Sequence, residues 1–116
     1  MKQRKQSLAV ITKQGTIRVG LSEILYLEKE LRIICVHTRT MVYRYYGTFK
    51  NLPECLDRRF CRCHNSFFVN LEKVRVIRRY ELELDNGEMI KISQRYYPAT
   101  RHTYRTFIMS EEEIKP

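Results

Sequence analysis

The sequence predicts a mostly β fold with short helices. Short runs rich in Val, Ile, Tyr and Phe recur along the chain, each bounded by turn residues, which is the pattern of half-buried strands. Apolar residues at helical spacing occur in only two places, one following Asn51 and one following Tyr97. A length of 116 residues with 43% apolar content supports one core and leaves little room for a second.

Residues 1–7 are basic and polar, with Lys2, Arg4 and Lys5, and read as an N-terminal arm that is either solvated or laid against a phosphate backbone. Residues 8–11 and 16–19 are β-prone runs around Thr12-Lys13-Gln14-Gly15, a hairpin turn in which Gly15 supplies a positive φ. After a brief connector, residues 24–28 alternate, with Ile24, Tyr26 and Glu28 on one face and Leu25 and Leu27 on the other. Two largely apolar faces place this strand in the middle of a sheet. Residues 32–37 and 40–45 form a further strand pair around Thr38-Arg39.

A short mid-chain helix is expected from residue 51. Asn51 can cap it, Pro53 is tolerated in the first turn because its missing N–H would have no partner there, and Glu54 stands three after Asn51 as in a capping box. Leu52, Cys55, Leu56 and Phe60 recur at helical spacing, so one face should pack on the sheet. Two apolar runs, 60–63 and 67–69, then flank the polar triplet His64-Asn65-Ser66, as two strand ends holding a turn of donors and acceptors.

Residues 74–84 are β-prone and heavily charged, and Asp85-Asn86-Gly87 is a hairpin signal. A two-residue Asn-Gly loop would pair Leu82 with Lys91, whereas a three-residue loop with a bulge at Gly87 pairs Leu82 with Ile90 and Tyr80 with Ile92. The second register puts like with like and is the one expected. Ser93 or Gln94 begins a tight turn into a C-terminal helix over residues 97–108, with Pro98 early and Tyr97, Arg101, Tyr104 and Ile108 on one side. Residues 8–108 thus make one domain, and 109–116, with Glu111, Glu112 and Glu113, form an acidic tail.

Composition narrows the function. Lys and Arg number 22 against 13 Asp and Glu, a formal charge of +9, and the sequence pI near 9.6 passes the usual threshold for a nucleic-acid-binding domain. Charge alone does not separate DNA from RNA or from an anionic membrane. Apolar runs fall far short of the roughly 20 residues that cross a bilayer, no signal peptide opens the chain, and a cytoplasmic protein without a membrane partner is expected. Cys35, Cys55, Cys61 and Cys63 then read as reduced core thiols.

Catalysis, metals and cofactors find little support. Cys-x-Cys at 61–63 sits on an expected strand, unlike the Cys-x2–4-Cys knuckles of structural zinc sites. Cys63 and His64 are adjacent on extended chain and point to opposite sides, so they do not form a nucleophile and base pair. No phosphate-cradling glycine loop and no carboxylate cluster stands out, and neither an enzyme nor a cofactor is expected. Nucleic-acid readout is better supplied: Asn65 carries an amide able to meet adenine through donor and acceptor, and Arg95 and Arg32 have the fork geometry for guanine O6 and N7. Ser66 and Tyr96 suit phosphates. Each has a plainer reading beside it, Asn65 as a turn holder and Arg95 as a helix cap or an ion-pair partner. A single-stranded RNA-binding or ribosome-associated β module, stacking bases on its eight tyrosines and five phenylalanines, is the alternative.

The stretch Phe60-Cys61-Arg62-Cys63-His64-Asn65-Ser66-Phe67-Phe68-Val69-Asn70 resembles the signature of the LytTR family of bacterial DNA-binding domains, Phe-x-Arg-x-His-x-Ser followed by an apolar run and Asn. Ile24-Leu25-Tyr26-Leu27-Glu28 is similar to the family's early strand, Tyr46-Gly47-Thr48-Phe49-Lys50-Asn51-Leu52 to the lead into its short helix, and residues 85–96 to its late hairpin ending in Ser-x-Arg. The resemblance covers residues 8–108. It implies small antiparallel sheets with a short mid-chain helix and a C-terminal helix, in which loops enter successive major grooves of double-stranded DNA at promoter direct repeats. Carried over by position, it implies base contacts by Asn65, Arg95 and Arg32, backbone contacts by Ser66, His64 and Tyr96, and for Arg62 either a contact or a brace for the loop. It further implies transcription regulation in a two-component system, a receiver domain or RNA polymerase as protein partner, and a chain that is monomeric in solution and sits in tandem on DNA.

Overall fold

The computed structural model describes residues 6–111. β1 (Ser7–Thr12) and β2 (Gly15–Gly20) form the first hairpin, closed by Lys13 and Gln14, with Gly15 at φ 142°. Thr12 secures it, its hydroxyl donating to the Gly15 carbonyl at 2.9 Å and accepting from the Gln14 N–H at 3.2 Å. The arm drawn over residues 1–7 falls mostly outside the described residues, and Ser7 already belongs to β1.

β3 (Ile24–Glu30) is central, as expected. With β4 (Ile33–Thr38), β5 (Val42–Tyr46), β6 (Phe60–His64) and β7 (Phe67–Asn70) it builds an antiparallel sheet in the order β5-β4-β3-β7-β6. Its two faces pack against two separate cores, but not by simple alternation. A bulge in the pairing with β4 falls at Leu25, so Ile24 and Leu27 enter one core while Leu25 and Tyr26 enter the other. The first core also takes Val10, Val19, Phe49 and Phe68; the second takes Val69, Leu82, Leu84 and Phe107. Leu27 is wholly buried, and a leucine in that state stabilises by about 1.5–3 kcal/mol.

The mid-chain helix is a single 3-10 turn, Leu52–Cys55. Asn51 makes no side-chain cap bond, and the chain straightens at Leu56 (φ −114°, ψ 173°). Arg59 supplies the reason: buried, it holds the Asp57 carboxylate through Nε at 2.9 Å and Nη2 at 3.0 Å, a local pairing that turns the chain into β6 in place of a second helical turn. Leu52 and Leu56 are buried as expected, but Cys55 is exposed.

The charged run 74–84 is broken by a turn at Arg79-Tyr80 into β8 (Val74–Arg78) and β9 (Glu81–Leu84), which with β10 (Met89–Lys91) make a three-stranded sheet. The hairpin takes the expected register: Leu82 pairs with Ile90, the Ile92 N–H reaches the Tyr80 carbonyl at 2.9 Å, and Gly87 adopts φ 91°. α1 (Tyr97–Glu111) runs three residues beyond its expected end and absorbs the start of the proposed tail; residues 112–116 lie outside the described residues. Its buried residues are Thr100 and Phe107. Arg101, assigned to the packed side, is instead exposed, with its guanidinium 5.5 Å from the Tyr97 ring centre.

Asn70, the last residue of the signature, is a structural brace. Fully buried, it donates to the carbonyls of Ile24 at 2.8 Å and Leu21 at 3.4 Å and accepts from the Glu72 N–H at 2.9 Å. It ties the end of β7 to the start of β3 and satisfies groups that would otherwise be stranded away from water.

Candidate nucleic-acid interface

One end of the five-stranded sheet gathers the polar turns. β3 runs out at Glu30 into the two-residue tip Leu31-Arg32; β5 ends at Tyr46, which pairs with Ile33 next to that tip; β7 begins at Phe67, which pairs with Glu28. The β6–β7 turn, Asn65-Ser66, therefore lies at the same end as Arg32. Two backbone hydrogen bonds join the turns into one surface: Lys29 N–H to the Ser66 carbonyl and Gly47 N–H to the Arg32 carbonyl, both 2.9 Å.

Arg62 connects a third segment. Its Nε donates to the His64 carbonyl at 3.3 Å and its Nη2 to the Asn65 carbonyl at 2.7 Å, so the guanidinium grips the turn by its backbone. The same group lies 5.2 Å from the ring centre of Phe49 and 5.7 Å from those of Phe68 and Tyr96. Planar and only weakly hydrated, a guanidinium can stack and donate at once, which an ammonium cannot do. Of the two roles implied for Arg62, the brace is the one its geometry fits. Segment 93–96 is also held directly, through the Ser93 N–H to the Cys63 carbonyl at 3.0 Å, and the Ser93 hydroxyl accepts from the Tyr96 N–H at 3.3 Å.

Each candidate contact residue can now be located. Asn65 and Arg95 are exposed and are joined through the Arg62–Tyr96 stack, the Arg95 guanidinium lying 5.5 Å from the centre of the same Tyr96 ring. Arg32 is exposed on the adjacent hairpin tip. Neither arginine forms an ion pair among the described residues, so the alternative of Arg95 as an ion-pair partner does not arise there. Ser66 is half-buried, with its N–H and carbonyl both engaged. His64 accepts the Ser66 N–H on Nδ1 at 3.0 Å, which in the neutral ring leaves the proton on Nε2, a donor of the kind a phosphate takes. Tyr96 is half-buried between the two arginines.

Lys29 was missed by the sequence reading. It sits inside a strand with no turn signal, and only the strand pairing reveals that it abuts Ser66, with its ammonium 5.6 Å from the Phe49 ring centre. The phenylalanines that base stacking would need are used elsewhere, since Phe49, Phe60, Phe68 and Phe107 are buried and Phe67 is half-buried; of the tyrosines, Tyr26 is buried and Tyr46 is exposed. The cysteines are free thiols, and burial pushes Cys61 up and Cys63 up to about 12, away from the reactive thiolate. Among the described residues no cluster of three His, Cys, Asp or Glu could hold a metal ion, and no helix is long and apolar enough to cross a membrane.

Comparison with known proteins bears on the same stretch of chain. A family model described as the LytTr DNA-binding domain matches residues 14–104. The accessory gene regulator protein A of Staphylococcus epidermidis, in each of two strains, is 34% identical over 79 residues, 64% of this chain and 32% of that protein. The chain thus spans about a third of the length of the curated relatives it matches. A solved LytTr DNA-binding domain from Bacillus cereus superposes with a TM-score of 0.74 at 28% identity, covering 85% of this chain and 96% of that one.

Proposed function

On the premise that this chain belongs to the LytTr DNA-binding domain family, we propose that it reads a specific sequence in double-stranded DNA and acts as the effector part of a bacterial transcription regulator. Asn65, Arg95 and Arg32 reach base edges from loops in successive major grooves, at direct repeats near a promoter, while Ser66, His64 and Tyr96 meet the backbone. Two copies occupy the repeats in tandem without a stable dimer in solution. A receiver domain or RNA polymerase is the protein partner, a view supported by the length of the accessory gene regulator relatives beyond the matched part.

The observation that carries this reading is the Arg62 junction. It ties two distant exposed residues, Asn65 and Arg95, to one frame, the first through its backbone carbonyl and the second through the Tyr96 ring that both guanidinium groups face. Preorganised polar tips at an exposed edge of the fold are what base readout requires.

Selection of bound duplexes from a random pool tests the class and yields the site. With that duplex, Asn65→Ala or Arg95→Ala should each weaken specific binding by about 1–3 kcal/mol and leave binding to scrambled DNA nearly unchanged. Equal losses on both DNAs would reject the base-readout assignment, and preference for single-stranded RNA in competition would reject the class.

A further inference from the structure

We propose that Leu31 is an additional readout residue, placing its side chain against the 5-methyl group of a thymine next to the base met by Arg32. This deepens the DNA reading above and rests on it.

Leu31 is misplaced by every criterion internal to the fold. It is the one non-glycine residue with positive φ among those described, at 56°, in a two-residue hairpin tip closed by the Glu30–Ile33 pair. Glycine, asparagine or aspartate takes that conformation readily, whereas leucine strains against its own Cβ. Packing gives nothing back, since Leu31 is 94% exposed. A strained backbone bearing an apolar side chain into water points to a use outside the molecule.

The surroundings say what that use is. Leu31, Arg32, Ile33 and Tyr46 line one shallow depression, with Tyr46 itself 81% exposed. The tip is fixed rather than loose, because the Arg32 carbonyl accepts from the Gly47 N–H. A hairpin tip that offers a guanidinium fork and an apolar group side by side matches a major-groove step of guanine beside thymine. The thymine methyl is the only apolar group that base edges display in that groove.

The test uses the duplex recovered by selection, with each thymine replaced in turn by deoxyuridine so that only the methyl is lost. Wild type should lose about three- to fivefold in affinity at one thymine, the contribution of one buried methyl-sized group. That thymine should adjoin the base pair at which Arg32→Ala loses discrimination. Leu31→Asn keeps the turn conformation; it should bind the parent duplex at least that much more weakly, ignore the replacement, and melt no lower than wild type. Wild type indifferent to every replacement, or Leu31→Asn showing the same thymine effect, would overturn the inference. So would equal affinity of wild type and Leu31→Asn for the parent duplex, the result expected if the tip served a protein partner. These outcomes leave the DNA reading standing, whereas a wild type that prefers no duplex over scrambled DNA removes both.

Discussion

At the turn end of the five-stranded sheet, Arg32 and Arg95 have no carboxylate partner among the described residues. At the opposite end Arg39, in the β4–β5 turn, holds both oxygens of Asp85 at 2.8 Å, and on the three-stranded sheet Arg75 and Arg78 share Glu83 at 2.8 and 3.5 Å. The same side chain is thus neutralised in one region and left bare in another. The surplus of +9 is a property of the whole chain, but its use depends on where the acids fall. Exposed pairs of this kind stabilise a fold by only about 0–1 kcal/mol. An unneutralised fork beside fixed backbone is better suited to a ligand than to the fold.

The sharpest way to break that contrast is Arg62→Ala. If Arg62 holds Asn65 and Arg95 in mutual register, its loss should weaken specific DNA binding by about 2–6 kcal/mol, as if two readout contacts went together. Arg62→Lys should not restore it, since an ammonium cannot both stack on Tyr96 and make two directed bonds. A titration in which either variant keeps full selectivity would show the brace to be dispensable. Next in size is Arg39→Gln, which should lower unfolding free energy by about 0–1 kcal/mol and leave DNA affinity alone. A matching loss of affinity would mean that the paired region also contacts DNA.

Smallest is the effect of acid on Glu83. The Arg75 guanidinium bonded to its carboxylate holds the Glu83 carboxyl below its ordinary value. For an acid depressed in the fold, stability is present above the unfolded value of about 4.5 and is lost as pH falls through the lower folded one. Urea midpoints should therefore decline below about pH 4.5, slightly less steeply in Glu83→Gln, with a slope identical to wild type counting against the pairing.

Much of this was legible in the chain. The Asp85-Asn86-Gly87 register followed from matching apolar partners, and β3 announced its central place by apolar residues on both faces. The mid-chain helix misled because capping signals at Asn51 and Glu54 describe how a helix starts, while the Asp57–Arg59 pairing that ends it is a contact without periodicity. Alternation along β3 failed at Leu25 for a similar reason, since a bulge inserts one residue and leaves no mark in composition. Asn65 and Asn70 are indistinguishable by type, yet one is exposed at a turn and the other is wholly buried on three hydrogen bonds. The link between Asn65 and Tyr96 was beyond reach because Arg62 makes it through backbone carbonyls and ring faces, to which sequence patterns are blind. Leu31 carried no turn signal for the plain reason that leucine is the wrong residue for its turn.

β3 sends side chains into both cores, Ile24 and Leu27 into one and Leu25 and Tyr26 into the other, and so ties the sheet down from both faces, while the exposed tips at 31, 32, 65 and 95 belong to neither core. Substitutions at those tips are therefore nearly free of stability cost. On the readout proposed above, descendants of one ancestor would drift to new operators by exchanging four outward side chains on an unaltered chassis.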